Sequence, residues 1–245
     1  MKKLPEITAL FWIMKICATT LGETAGDLLS MTLNVGYGLS SIILLSGFIA
    51  TLILQLFSKR YIPIIYWLVI LSTSTAGTTM SDFMDRTMGL GYATGSLILI
   101  TILLTILFVW RLKEKSLSVT DITTLRGELF YWTAILFSNT LGTALGDFLA
   151  DDSGLGFAGG AILIGSVLGL VMLSHYFTKI SSVLLFWIAF VLTRPFGATF
   201  GDLLTKTSAK GGLGFGTQGS SLILFVILAM LILYSSIRNS AFKKI

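Results

Sequence analysis

Long apolar runs, each about the length of a bilayer crossing, alternate along the chain with short polar intervals. A spanning helix needs about 20 largely apolar residues. Stretches that meet this occur at 7–30, 37–57, 62–84, 91–111, 127–150, 157–177, 181–205 and 215–237, which predicts eight transmembrane helices. The even-numbered stretches are almost unbroken Leu, Ile, Val and Phe, as from Ser40 to Phe57 and from Ser221 to Ile237. The odd-numbered ones carry Gly, Thr, Ser and acidic residues toward their C-terminal ends, so the chemistry is expected there.

A repeat underlies the alternation. Phe11-Trp12, Tyr66-Trp67, Tyr131-Trp132 and Phe186-Trp187 are aromatic-tryptophan pairs. Ten residues after each tryptophan stands Gly22, Gly77, Gly142 or Gly197, and fifteen after it Asp27, Asp82, Asp147 or Asp202. Nine residues after the first three aspartates come Gly36-Tyr37, Gly91-Tyr92 and Gly156-Phe157; the fourth copy reaches Gly214-Phe215 after three more residues. The unit is therefore helix, short turn, helix, repeated over 7–58, 62–113, 127–178 and 182–237, with a linker at 112–126. A unit that crosses twice returns to its starting side, so all copies share one orientation. The predicted fold is an all-α membrane protein of parallel two-helix repeats around a pseudo-symmetry axis along the membrane normal. The aspartates are 55, 65 and 55 residues apart, which suggests two halves of two repeats.

Composition removes the soluble classes. Of the 245 residues, 54% are hydrophobic and 12% charged, with a mean hydropathy of +0.89, against roughly 45–50% apolar and about 25% charged in soluble domains. The net charge of +5 would suggest nucleic acid in a soluble chain; here its distribution sets orientation instead. Lys2, Lys3, Lys59, Arg60, Arg111, Lys113, Lys115, Arg126, Lys179, Arg238, Lys243 and Lys244 fall on one side, and Arg86, Lys206 and Lys210 on the other. Both termini are expected in the cytoplasm, with the turns after the odd helices outside. Cys17 and His175 are single, which excludes a disulfide framework and a Cys/His zinc cage. Glu6 and Lys15 interrupt the first apolar stretch, so no cleavable leader is expected.

These residues resemble the bacterial membrane protein family with tandem repeats of unknown function, each repeat having two transmembrane segments and a tryptophan. The resemblance rests on Trp12, Trp67, Trp132 and Trp187 and on the Gly-x-x-x-Gly-Asp motif of Gly22 to Asp27 with its counterparts ending at Asp147 and Asp202; the second copy has Ser81 before Asp82. It implies a membrane protein, expected in a bacterial inner membrane, and no established activity.

On a helical wheel, positions seven and four before each aspartate lie on its face and the position three before lies close to it. These are Thr20, Glu23 and Thr24; Thr75, Thr78 and Thr79; Thr140, Thr143 and Ala144; and Pro195, Ala198 and Thr199. Further back the face is apolar, with Ile16, Leu71, Leu136 and Val191, which is how a closed gate would read. Carboxylates within a bilayer are costly, about 2.5–3.5 kcal/mol each at its centre on insertion scales, and mark ion or proton pathways. Carboxylates and hydroxyls without Cys or His suit hard cations such as Mg²⁺, Mn²⁺, Ca²⁺ or Na⁺. Asp27, Asp82, Asp147 and Asp202 are the candidate metal ligands, Glu23 a fifth acid or proton carrier, and Thr24, Thr78, Thr79, Thr143 and Thr199 auxiliary oxygens. Arg194 could pair with a carboxylate or bind an anion, and Lys15 is expected to snorkel to the cytoplasmic interface. With five inner acids against at most two inner bases, the field favours a cation. Asp85, Asp151 and Asp152 would add to an outer vestibule.

Plainer readings exist for each feature. The glycines serve close helix packing, the tryptophans anchor at the interface, and the aspartates cap helix ends. Met80, Met84 and Met88 pack. The function expected is transport of a divalent cation (Mn or Mg class), with protons as a further partner. The alternatives are a cation channel with an Asp ring and a non-transporting scaffold or regulator. No nucleophile-base pair or phosphate loop suggests an enzyme, and no cofactor or nucleic acid is implied.

Overall fold

Three of the four inner helices begin at a side-chain cap or a proline. Thr8 accepts from the Phe11 amide before α1 (Ala9–Asp27), Pro63 opens α3 (Pro63–Asp82), and Thr124 accepts from the Gly127 amide before α5 (Leu125–Asp147). The fourth member, α7 (Ser182–Thr205), carries Pro195 in its interior. The outer helices are α2 (Tyr37–Phe57), α4 (Tyr92–Glu114), α6 (Gly156–Phe177) and α8 (Gly216–Phe242). Gly36 and Gly91 stand before α2 and α4 with φ of 79° and 73°, a conformation a side chain would strain, which explains the glycine of each Gly-aromatic pair. The computed structural model describes residues 3–242, apart from the side chains of Asp121 and 239–242. Lys2, Lys243 and Lys244, which contributed to the orientation argument, lie outside the described residues.

The described residues contain eight long helices and no strand. Five of the helices are long and apolar enough to cross a membrane: α2, α4, α6, α7 and α8. α1, α3 and α5 were expected to span as well; their Gly, Thr and acidic residues lower their apolarity below that level, and the architecture shows why the fold tolerates this. The inner helices close a ring in which α1 packs on α3, α3 on α5, α5 on α7 and α7 on α1. Each outer helix covers the inner helix of the next copy: α2 on α3, α4 on α5, α6 on α7 and α8 on α1. The outer helices bear large exposed apolar residues such as Ile42, Leu54, Leu104, Phe108, Ile162 and Leu222. The polar helices are thus wrapped by apolar ones, and their polar groups bond one another.

The repeat motif is a code for the ring. Phe11 packs on Trp67, Tyr66 on Trp132, Tyr131 on Trp187 and Phe186 on Trp12, with centroids 5.5–6.5 Å apart. Each leading aromatic thus meets the tryptophan of the next copy. The tryptophans were expected as lipid-interface anchors; Trp67, Trp132 and Trp187 are instead buried in this aromatic layer, because they face the neighbouring inner helix. The glycines ten residues on follow the same rotation. A Cβ on Gly22 would meet Ser74, one on Gly77 the backbone of Asn139 and Thr140, one on Gly142 the stem of Arg194, and one on Gly197 Thr19. Every inner interface therefore depends on a glycine that admits the next helix, as small residues do inside membranes.

After Asp27, Asp82 and Asp147 the chain makes a π-helical turn, at Leu28–Thr32, Phe83–Thr87 and Phe148–Asp152. The fourth copy has none there: α7 runs three residues past Asp202 and leaves the helix at Lys206.

Candidate cation site in the inner ring

The buried face of each inner helix recurs every fourth residue, counted back from its aspartate. Sixteen before lie Phe11, Tyr66, Tyr131 and Phe186; twelve before, Lys15, Ile70, Ile135 and Phe190; eight before, Thr19, Ser74, Asn139 and Arg194; four before, Glu23, Thr78, Thr143 and Ala198. Apart from the partly buried Phe186, all of these are buried. The apolar level therefore sits one residue earlier than Ile16, Leu71, Leu136 and Val191, and Lys15 belongs to it.

Arg194 is at the centre. Its guanidinium has no exposure and reaches the other three inner helices: Nη2 donates to Glu23 Oε2 at 2.8 Å and Thr143 Oγ1 at 2.6 Å, and to Thr78 Oγ1, while Nη1 donates to the Thr19 carbonyl at 3.2 Å. Thr78 and Thr143 also approach the same Glu23 oxygen, at 3.3 and 3.4 Å. Pro195 follows Arg194 and interrupts the helix ladder there.

One level on, the four aspartates are buried, each 2–3% exposed. Two bases tie them in pairs. Lys206 Nζ lies 2.7 Å from Asp27 Oδ2 and 3.0 Å from Asp202 Oδ1. Arg86 lies 2.9 Å from Asp82 Oδ1 and 3.1 Å from Asp147 Oδ2. Each base stands four residues after an aspartate of its own copy and crosses to the next copy. The bridges join the fourth copy to the first and the second to the third, so the electrostatic halves are not the sequence halves. Glu23, Asp27 and Asp202 also offer carboxylate oxygens within 4.8 Å of one another, the spacing of a cation's ligands.

The expected site residues divide. Glu23, Asp27, Asp82, Asp147, Asp202, Thr78, Thr143 and Arg194 meet in this network. Thr24, Thr79 and Thr199 do not: Thr24 accepts from Ser221 of α8 at 2.9 Å, Thr199 faces Gly160 of α6, and Thr79 bonds the Ala76 carbonyl in its own helix. In the first and fourth copies the position three before the aspartate turns toward an outer helix.

Two expectations about charge are corrected. Lys15 does not snorkel; it has no exposure, and its Nζ lies 4.0 Å from the centroid of the Phe190 ring, because its position faces the ring interior. The inner bases also number more than two. Five acids (Glu23 and the four aspartates) face Arg86, Arg194 and Lys206, giving 3 − 5 = −2 for the ion-paired network. Asp85, expected in a vestibule, is buried in the turn beyond α3, where it accepts from Ser81 Oγ at 3.2 Å. Burial pushes its carboxyl up to about 6, against the pull of Ser81 and Arg86.

A second buried acid was missed. Glu128, in the first turn of α5 at the aromatic end, pairs with Lys3 at 2.8 Å and accepts from Gln55 at 3.4 Å.

Apolar outer helices around a polar ring, built four times from one unit, define a repeat-built membrane protein. The chain belongs to the family described as Repeat of Unknown Function (DUF347), whose model matches residues 10–61, 65–116, 130–181 and 185–240. Comparisons with curated proteins and with solved structures found no match.

Proposed function

We propose that the chain is a transporter for a hard cation of the Mn²⁺ or Mg²⁺ class, with all eight long helices spanning the cytoplasmic membrane of a bacterium and both termini in the cytoplasm. The observation that carries the reading is the group of buried carboxylates, Glu23, Asp27 and Asp202, with ligand oxygens within 4.8 Å of one another. Oxygen-only ligation fits such ions. The net −2 of the paired network is the charge that one divalent ion neutralises. The Lys206 ammonium bridges Asp27 and Asp202 as a tethered cation, so entry of an ion requires it to swing aside. The aromatic layer closes the other end of the ring, an arrangement in keeping with a carrier that opens to one side at a time.

One observation favours a second reading: every aspartate of the ring already has a basic partner, as a fixed scaffold would require. Ion flux into proteoliposomes separates the two. Mn²⁺, Mg²⁺, Ca²⁺, Na⁺ and K⁺ are offered to wild type and to a folded Asp27→Asn/Asp202→Asn variant. Saturable uptake of one ion, lost in the variant, supports the carrier; unitary currents would instead indicate a channel, and absence of flux for every ion the scaffold.

A further inference from the structure

Lys15 lies between the aromatic layer and Arg194, fully enclosed, and its Nζ has no hydrogen-bond partner. The other copies carry Ile70, Ile135 and Phe190 at the equivalent position, all without exposure. The other interior bases, Arg86, Arg194 and Lys206, each bond carboxylates. An ammonium presents three N–H donors, and here it meets only the face of the Phe190 ring, 4.0 Å from its centroid; a basic group kept without an acceptor or an anion at membrane depth is costly and typically functional. Packing alone would be served by the Ile of the neighbouring copies.

The groups facing this level are few. From α7 comes Arg194, and from α3 Tyr66, whose hydroxyl is occupied by Tyr131 at 2.7 Å. α8 brings only Tyr234 and Arg238, at its exposed far end. On α1 itself, Cys17 turns to the Leu224 carbonyl, and Glu23 stands two levels on, held by Arg194. Apolar surroundings leave one ligand that needs no added space and no further donors: the proton. One level on, on α3 and α5, Ser74 Oγ and Asn139 Oδ1 are likewise buried without a partner.

We propose that Lys15 is the proton-binding site that couples proton movement to cation transport, an inference that rests on the transport reading above. When the aromatic end opens to water, the amine lone pair takes a proton from a hydronium ion, an O–H bond breaking as the N–H bond forms. That bond breaks once the ring closes there and opens at its aspartate end, the pair returning to nitrogen and the proton forming an O–H bond with water on that side. Nothing is oxidised or reduced.

The test uses proteoliposomes of the full chain with an internal pH dye and Mn²⁺ as the offered ion, comparing wild type with Lys15→Met. Each unit of imposed pH gradient supplies about a tenfold driving force per proton, so wild-type uptake should rise by up to about that factor and move protons with the ion. Lys15→Met should still exchange Mn²⁺ at equal pH while losing the gradient response and the proton signal. A variant that keeps both overturns the proposal, as does a wild type that moves Mn²⁺ without protons, which leaves the transport reading standing. A wild type that moves neither overturns both. If Lys15→Met does not purify folded, Lys15→Gln is read in the same assay by the same outcomes.

Discussion

Replacing Glu23 by Gln should be among the most damaging isosteric changes in the chain. Arg194 is fully enclosed and Glu23 is 3% exposed, and the carboxylate is the anion bonded to that guanidinium, at 2.8 Å. The amide preserves volume and leaves the guanidinium with neutral partners, Thr78, Thr143 and the Thr19 carbonyl. Removing one member of a buried pair costs about 3–5 kcal/mol, because the other charge remains buried and uncompensated. Arg194→Met should cost a similar amount, since it strands the carboxylate. Glu23→Gln with Arg194→Met removes both charges, so its cost should fall short of the sum by about 2–3 kcal/mol. Reversible denaturant unfolding in detergent micelles, run on the four members of the cycle, measures that coupling. Additivity to within about 0.5 kcal/mol would refute the pairing.

Three further outcomes follow from the same geometry. Gly77→Ala should destabilise by about 1–3 kcal/mol, because its Cβ meets backbone atoms of Asn139 and Thr140 at 2.9 Å that cannot yield, whereas Gly47→Ala on α2, with open space around it, should be neutral or slightly stabilising; thermal unfolding compares them. Asp85 has its folded value near 6, above the unfolded value of about 3.9, so its protonated form favours the fold; that contribution is complete below about pH 4 and is lost as pH rises through 6. The wild-type melting temperature relative to that of Asp85→Asn should therefore fall between those two pH values. Lys206→Met should leave Asp27 and Asp202 without their shared base and lower stability by about 3–5 kcal/mol in ion-free buffer, and added Mn²⁺ should restore part of the loss.

Much of the architecture was legible because duplication wrote it four times. The eight apolar runs agree with the eight long helices to within a few residues apart from α8, which runs on to Phe242, and the glycine spacing pointed to close packing. The tryptophans misled because an aromatic beside a helix end reads the same whether it faces lipid or the next helix; only the closed ring puts Trp132 inside. Lys15 misled for a related reason. Its distance along α1 from the cytoplasmic end allowed snorkelling, but its position falls in the every-fourth-residue column with Thr19 and Glu23. Arg86 and Lys206 carried a usable signal, the i, i+4 spacing after Asp82 and Asp202. Both were instead counted as outer-turn bases that set orientation, whereas a π-helical turn carries Arg86 onward and Lys206, directly after the end of α7 at Thr205, reaches back to the aspartates. A helical wheel of one inner helix carries no sign of the outer helices that Thr24 and Thr199 face, or of the backbone carbonyl that Thr79 bonds in its own helix.

Whether the interior carboxylates hold a cation is tested most directly by equilibrium binding of Mn²⁺, read by the loss of its free-ion spin-resonance signal. Wild type in detergent should take up one ion per chain, and the Asp27→Asn/Asp202→Asn variant, verified as folded, should take up none. Equal binding by both, or no binding by wild type at millimolar ion, would contradict the cation site.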